Sequence, residues 1–356
     1  MKGNIKISTP GRVCLFGEHQ DYLGLPVIAA AISVRISFEG GKQDDLSVDI
    51  DLPDINGKKT FRIDREVNYT EERDYFKSSF NVVKKHGYTF SNGIKGTVKG
   101  TIPINAGTSS SSALIVTWIN FLTRISDQCK ILPSEEIAKL AHEAEILEFK
   151  EPGGMMDHYS TAVGGIINLE TYPELKLNIL NAKLGSFVLG NSNQPKDTKG
   201  ILKRVKFGVL DIVDKLKRED SAFSLHTIIY DDINKYASLL DDDQLGLIKG
   251  TVRNRDILRE AKEVFLKDVT DHKKIGALMN EHHSILSGIC RISTGKIDSM
   301  INAALDAGAY GAKINGSGGG GCMFAYAPEN TEKVFNAIKK ISDAYAVNIT
   351  GGTRED

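Results

Sequence analysis

An α+β protein of two domains is the fold class this sequence predicts, on three observations. The 356 residues exceed the size at which a single hydrophobic core keeps growing. Strand-like alternation and helical periodicity both occur in each half of the chain. The texture also changes near residue 180, which divides the chain into expected domains at 1–182 and 183–356.

Composition narrows the function classes. Hydrophobic residues at 41% and charged residues at 26% fit an ordinary globular protein, and 45 Lys and Arg against 46 Asp and Glu leave a net charge of -1. Without a basic excess to neutralise phosphates, nucleic acid is not the expected partner, and a small molecule is. Cys14, Cys129, Cys290 and Cys322 lie far apart with no C-x-x-C pair, which argues against a zinc site or a disulfide framework and fits a reducing compartment. No apolar run of signal-peptide length opens the chain and none approaches the roughly 20 residues that span a bilayer, so a cytoplasmic location away from membranes is expected.

The elements follow in order. Residues 5–8 running into 13–16, and then 27–38, read as strands, with the glycine- and proline-marked loop "GEHQDYLGLP" between them. A polar stretch with the turn pair Asn56-Gly57 leads to a strand near 94–102. In "PINAGTSSSSALIVTWINFLTRI" the period changes, and Ile115, Trp118, Ile119 and Leu122 fall on one helical face. Tyr75, Phe76 and Trp118 are open between core packing and a binding pocket. A second helix begins at Ser134, a natural N-cap followed by Glu135 and Glu136, and ends before Pro152. Ile137, Leu140, Ala141, Ala144 and Leu147 form its buried face. Past the boundary come a short strand at "SFVLGN", helical stretches between about 200 and 305, two apolar segments around "GSGGGG", a helix over 332–344 and a strand at 345–350.

Four motifs carry chemistry. Glu18, His19 and Asp21 crowd the mouth of an apolar strand and must be satisfied by the protein, by a metal or by a ligand rich in hydroxyls. Gly107 with Ser109, Ser110, Ser111 and Ser112 puts hydroxyls, backbone N–H groups and a positive helix end in one place, as phosphate binding requires; redundant N-caps are the bland alternative. Asp157, after Gly153-Gly154, either caps a helix or faces a site, while His158 reads as a structural histidine. The "GSGGGG" run, with Gly318 and Gly319 at its centre, precedes an apolar strand rather than a helix, so it reads as a loop approaching a ligand and not as a dinucleotide fingerprint. "NEHHSIL", with His282 and His283, reads as a helix surface.

Taken together and in order, "PGRVCLFGEHQDYLG", "IPINAGTSSSSAL", "PGGMMDHY" and "GAKINGSGGGGCMF" resemble the motifs of the GHMP kinase superfamily, most closely its galactokinase branch. The resemblance runs from residue 10 to about 326. It implies a ribosomal protein S5 domain 2-like N-terminal domain and a ferredoxin-like C-terminal domain. It further implies an ATP- and magnesium-dependent kinase that phosphorylates a monosaccharide, at the anomeric hydroxyl if galactokinase-like. By that resemblance Asp157 is the base or the residue orienting the hydroxyl, with Arg12 beside it. Glu18, His19, Asp21 and Gly154 contact the sugar, the serines and the glycine loop hold the nucleotide, and Ser111 and Glu145 bind magnesium. The implied partners are the sugar and ATP, for a monomer or homodimer.

The sequence departs from the family pattern at Thr108, where leucine is usual, and at Ser112, where alanine is usual. No tyrosine appears near "NSNQPKDTKGILKR" where galactokinases place a sugar contact, and "PKDTKG" looks more like the mevalonate and other sugar kinases. The rival readings are therefore a mevalonate kinase, a kinase of another sugar, or a non-enzymatic sugar and ATP sensor. Presence of both Arg12 and Asp157 speaks against the sensor.

Overall fold

The computed structural model describes residues 3–103, 107–195, 200, 201 and 203–356. The residues "INA" of the serine motif and "KDTK" of the later polar stretch lie outside them.

Strand β1 (Ile5–Phe16) turns through the Glu18 loop into β2 (Val27–Gln43), and the two pair antiparallel over nearly all of β1. Register shifts at Pro10/Gly11 and Cys14/Phe16 accommodate a proline that cannot donate and bend the strand toward the loop. The 17 residues of β2 also take β6 (Ile166–Glu170) and β5 (Gly93–Gly100) along its other edge. A hairpin of β3 (Ser47–Leu52) and β4 (Gly57–Arg62) extends the sheet beyond β5. Asn56, at φ 50°, turns that hairpin as the Asn-Gly pair suggests. β7 (Lys176–Leu180) pairs with β6.

Helices α1 (Tyr75–Lys85), α2 (Ser110–Ile125), α3 (Ser134–His142) and α4 (Met156–Val163) cover this sheet. Ile115, Trp118, Ile119 and Leu122 are buried as their spacing predicts. Phe38 of β2 meets Trp118 and Phe121 at ring-centroid distances of 4.9 and 4.4 Å, contacts that add roughly 0.5–1.5 kcal/mol each beyond burial. Helix α1 was not foreseen, because Phe76, Phe80 and Val83 recur at helical spacing inside a stretch whose other face is polar. Helix α3 gives way to one π-helical turn at Glu143–Leu147. That wider turn carries Leu147, expected to be buried, out to 59% exposure and leaves Glu145 buried.

The second sheet runs β11 (Asp343–Val347), β8 (Phe187–Asn191), β10 (Cys322–Tyr326), β9 (Gly311–Asn315), all antiparallel. With α8 (Gly295–Asp306) before β9 and α9 (Thr331–Lys339) before β11, this is the ferredoxin-like order. The last helix is shorter than 332–344 because Asp343 already starts β11. Helices α5 (Gly208–Glu219), α6 (Asp242–Phe265) and α7 (His272–Gly288) precede them. Leu25 packs with Val209, Ile212 and Leu216 of α5, which supports the loop after β1 from below. No helix among the described residues is long and apolar enough to cross a membrane.

The tail, expected within 183–356, does not stay with the second sheet. After β11 the chain crosses back to the first sheet, where Ile349 bridges Ile32, Gly351 bridges Gly164, and β12 (Arg354–Glu355) pairs with β1. The Arg35 guanidinium donates to the Gly351 and Gly352 carbonyls at 3.1 and 2.8 Å. The Thr353 hydroxyl accepts from Thr9 at 2.8 Å and from Asn120 of α2 at 3.0 Å. Gly164, at the end of α4, has φ 81°, and a Cβ there would lie 1.9 Å from the Gly352 nitrogen. Gly164→Ala is expected to displace the tail and reduce stability by about 1–3 kcal/mol, read as a lower midpoint in urea unfolding.

Candidate active site

One cavity of about 270 Å³ gathers most of the residues singled out in the sequence. Arg12 reaches it from β1; Glu18, His19 and Asp21 from the following loop; Gly107 and Ser109, Ser110, Ser111 and Ser112 from the start of α2; Glu145 from the π turn; Gly154 and Asp157 from the start of α4. Gly318 and Gly319 do not line it. The Gly319 N–H donates to the Ile292 carbonyl at 2.7 Å, and a Cβ on Gly318 would lie 2.6 Å from Ile292, so both turn toward the α7–α8 connection. The glycine loop contributes Gly316 and Ser317 instead. Gly316, at φ 82°, packs so close to Gly107 that a Cβ would lie 2.8 Å from its carbonyl oxygen.

Part of the acidic cluster is satisfied by the protein itself. Both Glu18 oxygens are engaged: Oε2 by Lys313 Nζ at 2.5 Å, Oε1 by the Gly316 N–H. Lys313 is wholly buried and also donates to the Cys14 and Ile314 carbonyls, each at 2.9 Å, so all three of its protons are used. Beside it Asn315 accepts from the Cys14 N–H at 2.9 Å and donates to the Gly107 carbonyl at 2.8 Å. Sequence reading missed Lys313 and Asn315, which alternate with Ala312 and Ile314 in a strand buried on both faces. His19, at φ 61°, is engaged at both ring nitrogens, with the Tyr22 hydroxyl at 2.7 Å and the Ser317 carbonyl at 3.1 Å. Burial lowers its pKa.

Two carboxyl groups face each other here in different electrostatic settings. Asp157, in the first turn of α4, accepts from Arg12 Nε at 2.8 Å. Burial pushes its pKa up, but the Arg12 charge and hydrogen bond outweigh this and hold it below the usual range. Arg12 also donates to the Gly107 carbonyl, which ties Asp157 to the serine loop. Asp21 has no such cation. Burial first, and the Asp157 charge second, raise it to about 6, against N–H bonds from Tyr22 at 2.9 Å and Met156 at 3.4 Å. A Cβ on Gly154 would lie 1.8 Å from Asp21 Oδ2, so only glycine lets the two segments approach.

The serine run is not a set of redundant caps. No side chain caps α2, and Ser109 at its head sits at φ 61°, a strained setting for a non-glycine residue. The Thr108 hydroxyl is buried without a hydrogen-bond partner among the described residues, and the buried Ser109 hydroxyl lies toward Asp157. First-turn N–H groups beside an unpartnered Thr108 hydroxyl suit a phosphate. Glu145 accepts from His158 Nε2 at 2.8 Å. One carboxylate and a serine hydroxyl beside a phosphate loop is the sparse donor set magnesium takes when phosphates and water supply the rest. No cluster of three His, Cys, Asp or Glu side chains suited to a metal occurs among the described residues. His282, expected on a helix surface, is fully buried against the Phe16 ring.

Residues 74–165 match the GHMP kinases N terminal domain and residues 258–347 the GHMP kinases C terminal domain, while residues 2–42 match the galactokinase galactose-binding signature. A mevalonate kinase of Pyrococcus furiosus is 30% identical over 97% of this chain and 93% of its own length. The chain belongs to the GHMP kinases. As a member of that family it is an ATP-dependent phosphotransferase acting on a small molecule. This GHMP kinase is also 27% identical to a galactokinase of Clostridium acetobutylicum, over 98% of the chain and 93% of the relative. The solved structure of Lactococcus lactis galactokinase complexed with galactose superposes with a TM-score of 0.87 at 22% identity, covering 99% of this chain and 95% of that one. The expected two-domain α+β fold is thereby met.

Two measurements test the electrostatics of this GHMP kinase. Lys313→Met strands the buried Glu18 carboxylate and should destabilise the protein by about 3–5 kcal/mol in urea unfolding, with partial recovery on adding Glu18→Gln. Asp21 binds its proton more tightly folded than unfolded, so it favours the native state at acid pH and that gain is lost as pH rises from about 4 through about 6. Asp21→Asn is therefore expected to raise stability by about 1–2 kcal/mol at neutral pH and to leave it unchanged near pH 4.

Proposed function

We propose that this kinase transfers the γ-phosphate of ATP to a monosaccharide hydroxyl, the anomeric 1-OH, with galactose as the substrate. The observation that carries this reading is the charge of the cavity wall. Glu18, Asp21, Glu145 and Asp157 all line it, and among the described lining residues Arg12 alone carries a permanent positive charge. Arg12 is already engaged by Asp157 and Gly107. The nearby Lys206 ammonium is engaged by the Pro152 carbonyl at 2.9 Å and lies 4.9 Å from the Tyr22 ring centre. A neutral polyol can donate hydroxyls to such a wall, whereas mevalonate would bring its own carboxylate among acids with no unengaged cation among the described lining residues. The galactose-binding signature over residues 2–42 supports the same choice.

In this reading the acceptor hydroxyl donates to Asp157, which Arg12 keeps anionic and of low basicity. That suits phosphoryl transfer, whose loose transition state needs a positioned hydroxyl first and a proton acceptor late. Asp21 receives further sugar hydroxyls, and leaving either carboxylate unpaired disfavours a wrong sugar by roughly 1–3 kcal/mol. The N–H groups at the start of α2 and the Ser109 to Ser112 hydroxyls hold the phosphates. Magnesium at Ser111 and Glu145 would supply charge neutralisation of those phosphates. The adenine fits a neighbouring apolar cavity of about 350 Å³, where Ile36, Tyr75, Phe76 and Leu114 adjoin Ser110 and Ser111. Trp118 belongs to the core rather than to this pocket.

A panel of monosaccharides and mevalonate with ATP and magnesium, scored by product mass and by NMR of the phosphorylated position, is expected to yield galactose 1-phosphate. Turnover of mevalonate alone would overturn the reading. Asp157→Asn is expected to lower kcat at least ~10²-fold with nucleotide affinity unchanged.

A further inference from the structure

We propose that His158 is the positioning residue for the metal-bearing carboxylate of Glu145, an inference that rests on the magnesium assignment above. The two residues meet by a local device. The π turn at Glu143–Leu147 carries Glu145 into the interior, and α4 sends successive residues to different partners. Asp157 goes to Arg12; His158, about 100° further round the helix, goes to Glu145.

The pair is close to fully enclosed, with His158 side-chain exposure at 1% and Glu145 at 9%. His158 Nδ1 is buried and has no hydrogen-bond partner among the described residues, so the Glu145 bond at 2.8 Å is what the imidazole does there. His142 stands edge-on at 5.4 Å and closes the other side of the ring. A buried imidazole with one nitrogen unsatisfied is a poor choice for stability alone, since an apolar side chain would fill the space without that penalty. What the arrangement provides is an N–H fixed on Glu145 Oε2. Oε1 makes no hydrogen bond among the described residues, and Glu145 lines the cavity beside Ser111. A carboxylate anchored by one oxygen and presenting the other is how outer-shell partners orient metal ligands.

Binding of Mn2+ to the protein–ADP complex, followed by electron paramagnetic resonance, reads the metal site without turnover. His158→Leu is expected to weaken Mn2+ binding by about 10–100-fold, and His158→Gln, which keeps an N–H donor, to regain most of it. Metal-free ADP affinity should remain that of the unmodified protein in both. Unchanged Mn2+ binding in the leucine variant, or equal weakening in the leucine and glutamine variants, overturns the proposal. Glu145→Gln separates the two levels: if it also binds Mn2+ normally, the magnesium assignment fails, whereas if it alone loses the metal, the positioning role fails. Should the leucine variant not fold, His158→Met replaces it under the same criteria.

Discussion

The candidate active site is held together by one buried ion pair. Lys313 belongs to the second sheet and Glu18 to a loop of the first, and their contact joins residues 295 positions apart in the chain. A buried pair of this kind repays its desolvation only when every proton and lone pair has a partner. Here the Cys14 and Ile314 carbonyls complete the lysine, and the Gly316 N–H takes the second glutamate oxygen. The neighbouring Asn315 extends the same junction to the Gly107 carbonyl. The strand bearing Arg12, the serine loop and the glycine loop are thereby brought to one place before any ligand arrives.

Around that junction the electrostatics separate two aspartates. Asp157 receives the guanidinium and stays ionised; for Asp21, burial and the repulsion of its neighbour outweigh its N–H bonds and the more distant Arg12 charge, so it is raised to about 6. Keeping Asp21 unpaired works against stability at neutral pH, as binding sites commonly do. The same holds for Ser109 in a left-handed conformation and for the uncapped start of α2. These local violations concentrate on one wall of one cavity, which points to a ligand that would relieve them.

Legibility differed by the range of the interaction. The α2 face, the Asn56 turn, the strands at 13–16 and 27–38 and the short strand at "SFVLGN" follow from local periodicity and turn chemistry. Glu145 was placed by resemblance alone, since the π turn that directs it inward adds one residue to a helical period and moves Leu147 out. Gly318 and Gly319 were expected at the ligand, but a run of glycines does not reveal which of its members faces which neighbour. The texture change near 180 carries no signal of where the tail docks, and only the seam beside Gly164 shows it.

By itself the sequence determined the kinds of chemistry available: acids crowded on one loop, hydroxyls at a helix start, a carboxylate after a glycine pair, and two α+β domains. Those features depend on neighbours a few residues apart, where backbone geometry dictates spacing. Tertiary structure decided the division of labour among them. Glu18 is turned from a free carboxylate into a latch by Lys313, Asp157 is ionised by Arg12, and Asp21 is left without a cation; each outcome depends on charges and burial contributed by distant segments, and those have no trace in local order.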